Sequence, residues 1–215
     1  AISHFAAKEG KILYRRNVYK VIYHGSNSFS FPARKSPITK IVELISVSRI
    51  TPYKGFHLLL EALKKIPVTL RWHLTIVGSQ PKPAYISYLK HLNRKNISIQ
   101  VNVSDRKLAR LYALSHIYIT CDRYLYFGLP ILEAAHFGLP AIVFNYAAAN
   151  EVVVNRVTGL VVKNQTELSQ CLKEIIEQPA LRQKLGVQAK NRAQKFSWAI
   201  CAKEWEKVLM RFAKM

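Results

Sequence analysis

Apolar and polar positions change period repeatedly between residues 41 and 162. Ile41 to Val47 (Ile-Val-Glu-Leu-Ile-Ser-Val) is rich in strand-forming residues and ends in a polar turn. Phe56 to Lys65 follows, with Leu58, Leu59, Leu60, Ala62 and Leu63 at helical spacing. The alternation then recurs. His73 to Val77 predicts a strand closed by Gly78, and Ala84 to Arg94 a helix. Ile97 to Val103 predicts a strand, and Asp105 to Leu114 a helix with Leu108, Leu111 and Tyr112 on one face. Ile117 to Thr120, Pro140 to Phe144 and Leu160 to Val162 predict further strands, with a helix over Pro130 to Phe137. Strands alternating with helices of about 10–15 residues indicate βαβ units and a parallel sheet. Nearly uninterrupted apolar strands are expected where helices cover both faces. The predicted fold class is α/β: a Rossmann-like, doubly wound parallel sheet of about six strands with a helical C-terminal tail. In such sheets ligands bind outside the carboxyl ends of the strands, here just after Val47, Val77, Val101, Thr120 and Phe144.

Both ends of the chain leave this rhythm. From Thr166 onward the pattern is helical, and Asn164 and Glu167 stand at capping-box spacing. Leu181, Leu185, Ala189 and Ala193 form one helix face. Ser197 can cap a last helix whose Trp198, Cys201, Trp205, Val208, Leu209 and Phe212 share a stripe, the pattern of a packed face. At the other end, Ile2 to Lys8 reads as a short helix and Tyr19 to Tyr23 as a strand. The Ser- and Pro-rich run from Gly25 to Thr39 reads as a linker, so the main domain is expected over residues 40–215.

Half of the 215 residues are apolar, enough for a sizeable core and too many for a disordered chain. No run approaches the roughly 18 apolar residues of a membrane-spanning helix. Cys121, Cys171 and Cys201 are odd in number and lack the spacing of a disulfide framework or zinc site. They read as reduced, buried thiols of a cytoplasmic protein. The seven His show no metal-ligand spacing, and His136 reads as a packing or surface residue. The first residue is Ala1, not Met, and no signal-peptide pattern follows, so a piece of a longer protein is expected. Charge alters the picture more. Lys and Arg number 33 against 12 Asp and Glu, a net charge of +21. Twenty of those cations but only four acids precede residue 121, whereas residues 121–163 hold three of each. Such a balance suits nucleic acid, an acidic membrane surface or phosphorylated ligands, and equally a merely solvated surface.

Two segments carry candidate chemistry. Ser48-Arg49-Ile50-Thr51-Pro52-Tyr53-Lys54-Gly55 follows the first strand. Two cations on a loop that ends at a helix start make an anion site, with phosphate the obvious guest; solvated charges are the alternative. After the fourth strand comes Cys121-Asp122-Arg123-Tyr124-Leu125-Tyr126-Phe127-Gly128-Leu129-Pro130, followed by Glu133. Gly128 lets backbone approach a ligand, and Pro130 suits a first helical turn. Amides near Gly128 and Leu129 are placed for a second phosphate contact. Glu133 either accepts ribose hydroxyls or answers the helix dipole.

In this order the motifs resemble those of the C-terminal, nucleotide-sugar domain of the group 1 retaining glycosyltransferases of GT-B fold, the family 4 type. Val47-Ser48-Arg49 with Lys54-Gly55 is similar to the family's Gly-Arg … Lys-Gly element, with Ser48 in place of Gly. Thr75-Ile76-Val77-Gly78 and Val103-Ser104-Asp105 with Leu108 and Tyr112 follow. Phe127-Gly128-Leu129-Pro130 with Glu133-Ala134, then Gly138-Leu139-Pro140, resembles the most specific signature. Asn150-Glu151-Val152-Val153, Thr158-Gly159-Leu160-Val161-Val162 and Phe196-Ser197-Trp198 extend the match. Ile2-Ser3 and His24-Gly25 resemble the end of an N-terminal lobe and the interdomain strand, so residues 1–39 are expected to close that lobe and link it.

The resemblance implies that Arg49 and Lys54 clamp the donor diphosphate, joined by backbone at Phe127, Gly128 and Leu129. It implies ribose contacts at Glu133 and base contacts at Val101, Asn102, Val103 and Leu108. The reaction implied is hexosyl transfer from a UDP-, GDP- or ADP-sugar to a hydroxyl of a glycan, lipid or protein, with retention and without a metal or other cofactor. One departure matters. The family's first glutamate, eight positions before Glu133, is Leu125 here, followed by Tyr126; Asp122 and Tyr124 are the polar candidates nearby. Catalytic residues stay unassigned. The family's cleft also needs an N-terminal lobe, in cis or in trans, and the last helix is expected to turn towards it with part of its stripe exposed. The location implied is cytoplasmic, with peripheral contact to an acidic membrane as a further expectation. The competing classes are a nucleotide-sugar-binding subunit without chemistry and a basic nucleic-acid-binding protein; no recognised nucleic-acid motif accompanies the charge.

Overall fold

The computed structural model describes residues 1–26, 41–79, 81–92 and 95–213. Among the described residues one sheet of six parallel strands forms: β1 (Val42–Val47), β2 (Trp72–Gly78), β3 (Ile97–Val101), β4 (Ile117–Thr120), β5 (Ala141–Phe144) and β6 (Gly159–Val162). Their order is β3-β2-β1-β4-β5-β6. β1 and β2 are in register from Val42 with Trp72 to Val47 with Val77. β1 meets β4 only at Leu44 with Ile117 and Ile45 with Tyr118. The winding reverses at this β1–β4 step, so a crevice opens between the carboxyl ends of these two strands.

The helices that flank the sheet follow from alternation along the strands. Leu44, Leu74, Ile76, Ile119 and Phe144 face one core with α2 (Phe56–Leu63), α3 (Pro83–Leu92) and α7 (Gln165–Glu177). Ile45, Val77, Tyr118 and Val143 face the other with α4 (Asp105–Leu114), α5 (Leu129–His136) and α8 (Pro179–Ala193). Leu44 and Ile45 are both fully buried, on opposite faces. Each such side chain contributes roughly 1.5–3 kcal/mol by leaving water. Half of the expected capping box is formed: the Asn164 side chain accepts from the Glu167 amide at 2.9 Å, while the Glu167 carboxylate accepts from the Lys163 amide at 2.8 Å, one residue before the cap.

Several expectations need correction. The first helix, α1, runs over His4–Tyr14, longer than the predicted Ile2 to Lys8, and ends where Arg15 turns left-handed (φ 52°). Tyr19 to Tyr23 is not a strand. Among the described residues its backbone bonds only Ala1, through Ala1 N to Lys20 O and Ile22 N to Ala1 O, too few for a ladder. The short helix α6 (Ala149–Val152) was not anticipated, because a single turn of four residues is too short to show helical periodicity. The third helix ends at Leu92, and Arg94 lies outside the described residues. The linker from residue 27, and the boundary near residue 40, lie outside them as well. The last helix, α9 (Trp198–Ala213), forms on its Ser197 cap, but only Cys201 of its stripe is buried. Trp198, Trp205, Leu209 and Phe212 are about half exposed or more, so the packed-face reading fails for most of the stripe. No helix among the described residues is long and apolar enough to cross a membrane.

Candidate functional site

A cleft of about 530 Å³ opens at the predicted crevice. Val47, Ser48 and Arg49 leave β1 into it, and Tyr118 and Thr120 reach it from β4. The loop after β4 and the first turn of α5, through Gly128, Leu129 and Pro130, form the opposite wall. Ile2 and His24 add a third side from the N-terminal segment. The structure thus brings Arg49, Lys54, Phe127, Gly128 and Leu129 to one cleft.

Local backbone explains why the two loops meet. Pro52–Lys54 forms a single 3-10 turn that ends on Gly55 at φ 73°. A Cβ on Gly55 would lie 2.7 Å from the Cys121 carbonyl, so only glycine lets the loop press against the end of β4. Lys54 therefore lies beside Asp122, and the two form an ion pair. Their side chains are 12% and 3% exposed. The second carboxylate oxygen of Asp122 accepts the Tyr124 amide at 2.9 Å. The Asp122 amide donates to the Thr120 hydroxyl at 3.2 Å. The Tyr53 ring stands beside both cations, 4.9 Å from the Lys54 ammonium and 5.7 Å from the Arg49 guanidinium. Arg49 itself is exposed.

On the opposite wall, Gly128 adopts φ 103° and caps α5. A side chain there would press on Ile131 and Leu125 at 3.0 Å. Leu125 is buried in the core beneath the wall, and its carbonyl accepts the Ala148 amide at 2.9 Å. Phe127 stacks on Tyr23 with centroids 5.8 Å apart. The Ser3 hydroxyl, fully buried, donates to the Tyr126 carbonyl at 2.6 Å.

The remaining predicted residues lie outside the cleft lining. Glu133 sits on α5 towards α4, where the Tyr112 hydroxyl donates to it at 3.1 Å. Burial raises the Glu133 carboxyl above the ordinary glutamate range, opposed by the Tyr112 hydrogen bond and assisted by Asp105. Val101 ends β3 with its side chain partly exposed, and Asn102 turns left-handed (φ 52°) with its amide on the Gly78 carbonyl. Val103 and Leu108 are partly buried against the second core. These residues share the carboxyl edge of the sheet with the cleft.

His136 packs as expected, half-buried with its Nε2 2.7 Å from the Ser26 hydroxyl, and burial lowers its basicity. Cys121 and Cys201 are buried and Cys171 partly so, all free. Burial pushes the Cys121 thiol up to about 12, so it is no nucleophile at neutral pH. The sequence reading missed the grip of Asp122 on Lys54, and also Tyr53, Tyr118, Ile2 and His24 as wall residues. For Asp122 a signal existed: a carboxylate directly after a fully apolar strand end needs a partner if it is buried.

Comparison with known proteins agrees with the motifs. Residues 31–192 match the family model described as glycosyl transferases group 1. An uncharacterized glycosyltransferase of Methanocaldococcus jannaschii is 27% identical over 202 residues, covering 86% of this chain and 52% of the relative. The crystal structure of a glycosyltransferase from Rickettsia africae superposes with a TM-score of 0.87 at 24% identity, over 100% of this chain and 63% of that one. The Anabaena HepE protein, solved in complex with UDP-glucose, superposes at 0.83 with 20% identity, over 98% of this chain and 63% of that one. The chain spans about half the length of the curated relatives it matches.

Proposed function

The chain belongs to the group 1 glycosyl transferases, and from that premise we propose that its cleft receives the diphosphate of a nucleoside diphosphate sugar. In this reading the chain is the donor-binding lobe of an enzyme that transfers a hexosyl group to a hydroxyl acceptor with retention. The observation that carries it is the convergence of Arg49, Lys54 and the first turn of α5 on one cleft at the carboxyl edge of a parallel sheet. Departure of the nucleoside diphosphate builds negative charge on its leaving oxygen. The Lys54 ammonium, held by Asp122, the Arg49 guanidinium at the cleft lining and the positive end of a helix stabilise that charge. Glu133, held by Tyr112, accepts the ribose hydroxyls, and Val101, Asn102, Val103 and Leu108 meet the base. The ligand class is supported by the UDP-glucose complex of the structurally similar Anabaena protein. No metal enters this reading.

Transfer belongs to the whole protein. We assign the acceptor site to a second lobe, in cis or in trans, with residues 1–39 as its end plus linker and residues 40–215 as the donor domain. One feature favours a second reading, a binding subunit without chemistry. Leu125 is turned into the core, and Asp122 is the one carboxylate among the described residues lining the cleft. It is engaged by Lys54.

Thermal unfolding with millimolar UDP, GDP or ADP tests the donor site. At a ligand concentration 100 times the dissociation constant, stabilisation of about 2.7 kcal/mol is expected. Arg49→Ala should weaken the nucleoside diphosphate about tenfold and leave the nucleoside nearly unchanged, the scale of a lost charge-assisted contact. No shift with any of the three nucleotides would overturn the reading.

A further inference from the structure

We infer that Asp122 is a positioning residue that holds the Lys54 ammonium at the wall of the cleft, in place to meet an anionic ligand. The inference rests on the donor-site reading and adds a residue to it. Lys54 ends a 3-10 turn, and its ammonium is brought to a place where little of the side chain meets water. A flexible four-carbon stem would otherwise carry the charge out to solvent. Three groups hold it in. Asp122 accepts its hydrogen bond, the Tyr53 ring lies 4.9 Å away, and Gly55 presses the turn onto Cys121. Asp122 is itself fixed, with its other oxygen on the Tyr124 amide and its own amide on the Thr120 hydroxyl. One N–H of the ammonium is used by Asp122, and two more are available chemically to a phosphate.

Charge alone predicts the opposite role, which makes the inference testable by sign. A carboxylate beside an anion site repels the anion, so its removal should tighten binding if only Coulomb's law acted. If Asp122 positions Lys54, its removal releases the cation and binding weakens.

The experiment compares the unaltered chain, Asp122→Asn, Lys54→Ala and the double variant, all checked first by thermal unfolding. The probe is whichever of UDP, GDP and ADP the unaltered chain binds most tightly, with its nucleoside as control. Asp122→Asn is expected to weaken the nucleoside diphosphate about tenfold. The nucleoside should be unaffected, and Asp122→Asn should cause no further loss in the Lys54→Ala background. Unchanged or tighter diphosphate binding would overturn the inference. So would equal loss for nucleoside and diphosphate, or a loss that persists without Lys54. Should Asp122→Asn not fold, Asp122→Ser, which keeps an acceptor for the Tyr124 amide, carries the same comparison. Failure of all three nucleotides to bind the unaltered chain removes the donor site itself, and this inference with it. Binding that responds to Lys54→Ala but not to Asp122→Asn removes only the inference.

Discussion

Glu133 shows how one residue serves two demands. Its place one turn into α5 brings it under the carboxyl edge of the sheet, where it meets the Tyr112 hydroxyl and loses most of its water. Burial raises its carboxyl, so the folded chain binds that proton more tightly than the unfolded chain does. By linkage, stability then falls as pH rises from the ordinary glutamate range through the raised value, because the native state holds the extra proton there. Above that window the ionised carboxylate is a standing cost. Glu133→Gln, which keeps an acceptor for Tyr112, should therefore raise the melting temperature at pH 7 to 8 and leave it nearly unchanged at pH 4. Melting curves at the two pH values check this, and a lower melting temperature at pH 8 would contradict it. The same variant should lower the preference for ribonucleotide over deoxyribonucleotide if the carboxylate takes the ribose hydroxyls.

At the scale of elements, α1 is the least self-sufficient helix, with no residue buried along His4–Tyr14. It stays in place through its amino end. The Ser3 hydroxyl accepts the Ala6 amide, and the Glu151 carboxylate, presented by α6, accepts the His4 and Phe5 amides at 2.7 and 2.9 Å. The Tyr23 hydroxyl adds a third bond to Glu151 at 3.0 Å, and burial with that contact raises the phenol. A negative group at a helix amino end satisfies otherwise unpaired N–H groups and the dipole together. Glu151→Ala should cost about 1–2 kcal/mol and speed amide exchange along α1. Exchange in β1 and β4 should stay as it was. Hydrogen exchange resolved by segment measures this, and unaltered protection of α1 would show that its other contacts suffice.

At the scale of the whole molecule, the positive surplus steers anions towards the basic part of the chain without specifying them. In the proposed reading, selection falls to the cleft and this chain supplies the donor side of the reaction. Trp205, Leu209 and Phe212 of α9 are exposed, and the helix meets the N-terminal segment where Phe212 contacts Tyr19 and Lys20 pairs with Glu204. Exposed apolar surface of this extent commonly marks a partner surface. These 215 residues alone should show no glycosyl transfer from any of the three nucleotide sugars, and an upstream lobe added in cis or in trans should restore it. Product formation followed by mass spectrometry decides the point; sustained turnover by the chain alone would show that it contains its own acceptor site.

Much of this was legible in the order of residues. The six strands and most helices follow from periodicity, since an amphipathic segment has few ways to hide its apolar face. Arg49, Lys54, Gly128 and Glu133 stood out because charged and glycine residues after buried strands sit where parallel sheets open. Tertiary structure alone decided the rest. It turned Leu125 into the core, left most of the α9 stripe in water, and added Ile2 and His24 to the cleft. It also joined Lys54 to Asp122, which are 68 positions apart. Periodicity reports which face of a segment is apolar, but not which distant segment will cover it. A charged side chain's partner depends on how closely two loops approach, and here that approach is set by a glycine pressed against a carbonyl. Local pattern therefore determined the elements and the edge where the cleft forms, while packing between distant segments determined which side chains line it and which charge is held in place.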